Sequence, residues 1–168
     1  MADILVIAES QEGTGETAGH GSKYGRWLDE QVGTHLYYNL DWCGAFQLWC
    51  IAQGGPTWIA AAGGLHREYA EVQVWFDWMK AHGRISGTPK ARRLVWYDWA
   101  GTPEGANHIG LVDHFTATHI WAWEGNHDNR VELVERPRDG QVMGYGEWWS
   151  FIPAADNDDV ALVVSLGL

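Results

Sequence analysis

The apolar positions change period partway along the chain. Trp42, Ala45, Phe46, Trp49 and Ala52 recur at helical spacing and stop at Gly54-Gly55-Pro56, a strong helix terminator. Asp41 or Asn39 is the expected N-cap of that helix. Leu65, Tyr69, Val72, Trp75, Phe76 and Met79 share a face and predict a second helix over residues 65–82, ended by Gly83. A shorter helical turn over residues 23–31 puts Tyr24, Trp27 and Leu28 on one side, and residues 3–10 fit a short helix or a strand. Beyond Gly83 the runs 92–99, 108–114, 119–124, 130–135 and 147–152 have strand character, separated by Gly, Pro, Asn and Asp. Helices first and strands afterwards predict an α+β domain, with N-terminal helices packed on an antiparallel β-sheet. One domain is expected over residues 1–153, followed by an edge element or tail over residues 154–168 that starts acidic and ends apolar.

Composition narrows the class. A chain of 168 residues with 46% hydrophobic and 20% charged residues has room for one real core. Its net charge of −11 argues against nucleic acid and against unaided binding to anionic membranes. The run Ile4-Leu5-Val6-Ile7-Ala8 is too short for a signal peptide and meets Glu9 directly, and no segment has the length of a membrane helix. A soluble product made in the cytoplasm is expected, and work outside the cell needs a separate export or lysis route. Cys43 and Cys50 on one helix are roughly 10 Å apart at about 1.5 Å rise per residue, beyond the ~7 Å limit for a disulfide. Both are expected as free thiols, with Cys50 as core filler.

Cys43 falls in the first turn of the central helix, where unpaired backbone N–H groups and the helix dipole favour a thiolate. It is a nucleophile candidate or a small apolar filler in a Trp-rich core. A cysteine nucleophile needs a base, and the base an orienting group. His108 opens one strand, and the next ends in Glu124-Gly125-Asn126. With an odd turn such as Phe115-Thr116-Ala117, His108 stands opposite Glu124 on one face, Cβ atoms about 5 Å apart. An even turn sends Glu124 to the other face. Gly110 and Ala122 keep the shared face low, which suits a helix N-terminus packing over it. A strand-edge histidine and a plain Glu-Gly-Asn turn are the bland alternatives. His114, His119 and His127 with Asp113 and Asp128 lack tight ligand spacing, so no metal site and no cofactor are expected.

At this point the chain resembles the CHAP family, the cysteine, histidine-dependent amidohydrolases/peptidases of the papain-like NlpC-type superfamily. The resemblance rests on Lys23-Tyr24-Gly25-Arg26-Trp27, Trp42-Cys43-Gly44-Ala45-Phe46, Leu94-Val95-Trp96-Tyr97-Asp98-Trp99, His108-Ile109-Gly110-Leu111-Val112 and Glu124-Gly125-Asn126, in the family's order over roughly residues 3 to 152. It implies a papain-like fold and hydrolysis of an amide bond in bacterial peptidoglycan. It places the nucleophile on Cys43, the general base on His108, the orienting acid on Glu124 and a fourth polar residue on Asn126, serving orientation or the oxyanion site. Gly44 stands where the family often has alanine. The calcium loop of some members is not expected here, since only Asn39 and Asp41 precede the cysteine.

Trp42, Trp99 and Trp149 (beside Trp148) are candidate walls of a substrate groove, with core packing as the alternative for each. The leading expectation is a phage endolysin cutting the sugar–peptide amide or a stem or crosslink peptide bond, released to the wall by a holin. A secreted toxin with the same chemistry and a catalytically inactive wall-binding module are the alternatives.

Overall fold

A computed structural model describes residues 3–17, 19, 21–54, 70–99, 101 and 105–147. Among the described residues four helices precede six strands: α1 (Ile4–Glu9), α2 (Lys23–Val32), α3 (Cys43–Gly54) and α4 (Val72–Ala81), then β1 (Ile85–Ser86), β2 (Leu94–Tyr97), β3 (His108–Phe115), β4 (His119–His127), β5 (Arg130–Pro137) and β6 (Val142–Gly146). The expected α+β class with an antiparallel sheet is observed. No described helix is long and apolar enough to cross a membrane.

Local chemistry sets the helix starts. Asp3 caps α1 by accepting from the Leu5 N–H at 3.0 Å, which settles the ambiguous segment as helix. Ser22 does the same for α2, accepting from the Gly25 N–H at 2.9 Å, and Gly33 closes it in the left-handed region. α3 begins at Cys43, so its cap position is Trp42, whose carbonyl accepts from the Phe46 N–H. That corrects the expected Asp41 or Asn39 cap. The second predicted helix is also shorter at its start. Ala70 and Glu71 are not helical, and α4 begins at Val72. Residues 65–69 lie outside the described residues, as do Trp149 and the segment 154–168.

The sheet order is β1-β6-β2-β3-β4-β5, antiparallel throughout. The last described strand is Val142–Gly146, which the sequence pattern did not predict because Gly144 and Gly146 interrupt it; Glu147 lies outside any strand, and the rest of the predicted run 147–152 lies outside the described residues. Alternation splits the sheet into two buried faces. Leu94, Trp96, Ile109, Leu111, Trp123 and Val131 join the helices in the main core. Val95, Tyr97, Val112, Ile120, Ala122 and Tyr145 form a second cluster on the other face. α3 therefore packs its body on the Ile109 face, not over Gly110 and Ala122 as expected.

α3 is buried nearly all round, from Cys43 through Leu48 and on through Cys50 and Ile51, as a helix apolar on every side must be. Tryptophans supply much of the main core it packs in. Trp42, Trp75 and Trp96 are fully buried, and Tyr24 stacks on Trp42 at 5.2 Å between ring centroids.

Packing at the start of α3 is tight enough to select its second residue. A Cβ on Gly44 would lie 2.5 Å from the Ala70 carbonyl oxygen, a backbone atom that cannot swing away. Gly44→Ala is therefore expected to lower stability by about 1–3 kcal/mol, read as a drop in thermal or denaturant midpoint. An unchanged midpoint would mean that the Ala70 backbone yields freely.

Candidate active site

Four elements converge on a cleft of about 260 Å³ lined by Asp41, Cys43, Trp99, Asn107, His108, Asn126, His127, Asp128 and Arg136. Cys43 comes from the first turn of α3, His108 from the start of β3, and Arg136 from the end of β5. Cys43 and Cys50 are both free and both buried, but only Cys43 lines the cleft.

The hairpin places Glu124 by a route the sequence did not reveal. Phe115 pairs with Ile120, which leaves the even turn Thr116-Ala117-Thr118-His119. Unbroken, that register would turn Glu124 away from His108. A β-bulge at Asp113, between the pairs Val112–Ala122 and His114–Trp121, restores the parity. Glu124 then lies directly opposite Gly110, and His108 is its diagonal neighbour on the same face rather than its direct partner. A Cβ on Gly110 would come within 3.1 Å of the Glu124 side chain, so glycine leaves the carboxylate its space.

Glu124 is fully buried and has two basic partners. Its Oε2 lies 2.9 Å from His108 Nε2. Arg136 donates to it twice, Nε to Oε1 at 3.1 Å and Nη2 to Oε2 at 2.7 Å. Burial works to raise the carboxyl pKa, but these hydrogen bonds and charges outweigh it and hold the group below its ordinary value. His108 is likewise buried. Desolvation opposes its charge, yet Cys43 and Glu124, by hydrogen bonding and charge, push its pKa up to about 10. With Nε2 on Glu124, Nδ1 is the ring nitrogen left for the sulfur. The arrangement holds the His108 ring between the start of the cysteine-bearing helix and a paired, buried carboxylate.

The remaining predicted residues fall in different places. Asn126 sits in the left-handed region at φ 61°, and its Nδ2 donates to Asp41 Oδ1 at 3.0 Å. It ties β4 to the approach of α3 instead of touching the His108 ring. Trp99 lines the cleft, stacked on Tyr97 at 4.5 Å and on the Arg136 guanidinium at 4.4 Å. Trp42 does not wall the cleft. It is fully buried, its indole N–H on Glu16 at 3.1 Å, so it is a core side chain. Among the described residues, His127, Asp128 and Glu132 bring potential ligand atoms within 4.8 Å of one another. His127 pairs with Glu132 at 2.6 Å and Arg130 lies 3.4 Å from it, contacts that account for the grouping. His114 pairs with Asp113 and stacks on Trp121, apart from that group.

Sequence reasoning missed Arg136 and Tyr97. Tyr97 stands directly across from His108, and burial followed by the Glu124 charge pushes its phenol pKa well above the ordinary value. Arg136 shares the Glu124 face only through the β4–β5 register, in which Ile120 pairs with Arg136 and Glu124 with Glu132. No short motif carries that signal. No protein-family model, curated protein or solved structure gives a significant match to this chain.

The raised His108 pKa gives a signed pH test. A folded value above the ordinary 6.5 means the charged ring stabilises the native state fully below about pH 6.5. That contribution is lost as pH climbs toward 10. The melting-temperature advantage of wild type over His108→Gln should be largest near pH 6 and shrink steadily toward pH 10. An advantage independent of pH would contradict the charged pairing.

Proposed function

We propose that this chain is a cysteine hydrolase of amide bonds in bacterial peptidoglycan, a CHAP-type enzyme of papain-like fold acting at the cell wall. The observation that carries this reading is that Cys43 and His108 line one cleft, from a helix start and a strand start, with Glu124 of the adjacent strand buried against the His108 ring. The order of elements also supports it: a helix that opens on cysteine, then an antiparallel sheet bearing histidine and glutamate.

In this mechanism His108 takes the Cys43 proton, and the resulting thiolate attacks the amide carbonyl carbon. The Cys43 backbone N–H belongs to the first turn of α3, where N–H groups have no intrahelical partner. In this reading it donates to the developing oxyanion, an interaction worth about 3–4 kcal/mol per donor in such sites. The tetrahedral intermediate collapses, the C–N bond breaks, and His108 passes its proton to the departing amine. A water molecule, deprotonated by His108, then hydrolyses the thioester and returns Cys43 to its starting state. Glu124 keeps the ring oriented and favours its charged form throughout. Trp99 borders the cleft and offers an aromatic wall for the sugar or stem peptide.

The test is digestion of isolated bacterial cell walls, with mass spectrometry of the released fragments. Wild type should release fragments whose masses name the bond cut, and Cys43→Ala should release none. Glu124→Gln should lower the rate by roughly 10²–10⁴, the usual range for disturbing a general acid–base group. Equal release by wild type and Cys43→Ala would remove the cysteine mechanism. Tight wall binding without release would favour a binding module.

A further inference from the structure

We propose that Arg136 is a positioning residue of this site, a fixed cation that locks Glu124 in place and balances the charge of the reacting set. The inference rests on the cysteine-hydrolase reading only for what the set does, not for its geometry.

Arg136 grips both oxygens of the Glu124 carboxylate, at 3.1 and 2.7 Å, in the two-pronged arrangement that only a guanidinium supplies. The carboxylate has no solvent exposure, so its orientation is set by these bonds and the 2.9 Å contact to His108. Arg136 is in turn held by the Trp99 ring at 4.4 Å, with the Tyr97 ring 6.0 Å away. Its grip therefore links the aromatic border of the cleft to the group that orients the imidazole.

Charge arithmetic gives the residue a further consequence. A Cys43 thiolate, a His108 imidazolium and a Glu124 carboxylate together carry one negative charge. Arg136 brings the set to neutrality. The other groups facing it are Tyr97 on β2, Asp128 beyond β4 and, across the cleft, Asp41; none of them supplies a second cation. His127 lines the same cleft, but its ring is occupied by Glu132. Removing a fixed positive charge makes every nearby group harder to deprotonate. Without Arg136 the set carries a net negative charge, which opposes loss of a further proton at the cleft, and Glu124 keeps His108 as its basic partner beside the Tyr97 phenol.

The test uses the full chain and reads Cys43 directly. Wild type, Arg136→Gln and Arg136→Lys are alkylated with iodoacetamide across a pH series, with peptide mass spectrometry assigning the label to Cys43 or Cys50. The low-pH limb of Cys43 alkylation should move up by roughly one pH unit in Arg136→Gln, hence roughly tenfold slower labelling on the limb. Arg136→Lys keeps a charge without the fork and should recover most of that shift. A purely structural role lowers the melting temperature and leaves the limb where it was. Coincident limbs in wild type and folded Arg136→Gln overturn the proposal, and so does a shift that Arg136→Lys does not reduce. Arg136→Met, which keeps the stem against Trp99, carries the same criterion should the glutamine variant not fold. Wall digestion by the same wild-type preparation separates the two readings. A shifted limb with no wall release keeps the role of Arg136 and removes the peptidoglycan substrate. Wall release with coincident limbs does the reverse.

Discussion

A carboxylate with no exposed surface must be neutral or paired, and much of this site is arranged to pair one. Glu124 sits beneath the sheet surface with His108 on one side and Arg136 on the other. Each neighbour comes from a different strand, so β3, β4 and β5 must lie side by side in that order. Gly110 opposite the carboxylate leaves it room, and the Trp99 ring over Arg136 shields the second cation. Breaking any one contact strands a charge in a low-dielectric interior. The same pairing holds the His108 ring at the cleft that Cys43 lines.

The helical layer serves a second requirement, bringing one backbone end to a fixed place. α3 has almost no solvent face, so its position is dictated by packing on every side. Gln47 donates its side-chain amide to the Trp123 carbonyl at 2.9 Å, fastening the helix to β4. At its start, Asn126 holds Asp41 from the same strand. The strand that carries Glu124 thus fixes the cysteine helix at two points, which leaves Cys43 little freedom to move relative to the pair it faces. Wide rings serve the same packing elsewhere in the core, where Trp75 on α4 meets Trp96 on β2 edge-on at 5.9 Å between ring centroids.

The coarse architecture was readable because it depends on period. Helical spacing at Trp42 to Ala52 and alternation at His108 to Val112 each name their element locally. Boundaries failed where a neighbour decides. Ala70 and Glu71 look helical, but the Ala70 carbonyl lies against the start of α3. The strand Val142–Gly146 was hidden by its glycines. The convergence of Cys43, His108 and Glu124 was legible because residue type and element position together limit the choices. Arg136 was not, since a basic residue on an edge strand looks like ordinary surface until the register is known. Trp42 misled for the converse reason: proximity to the cysteine in sequence says nothing about which way the indole turns.

The bulge at Asp113 carries a consequence for how such a chain can change its length. Its turn has an even count, and the extra residue in β3 converts that into the face relation the charged pair needs. A single-residue deletion at the bulge, or a single insertion at the tip, would exchange inside for outside along one arm of the hairpin. Two such events together would cancel. The β3–β4 hairpin is therefore expected to vary among descendants of this chain in steps of two residues, or in matched single steps on opposite sides of the ladder. Its tip, though exposed and remote from the cleft, inherits a constraint of parity from the buried glutamate.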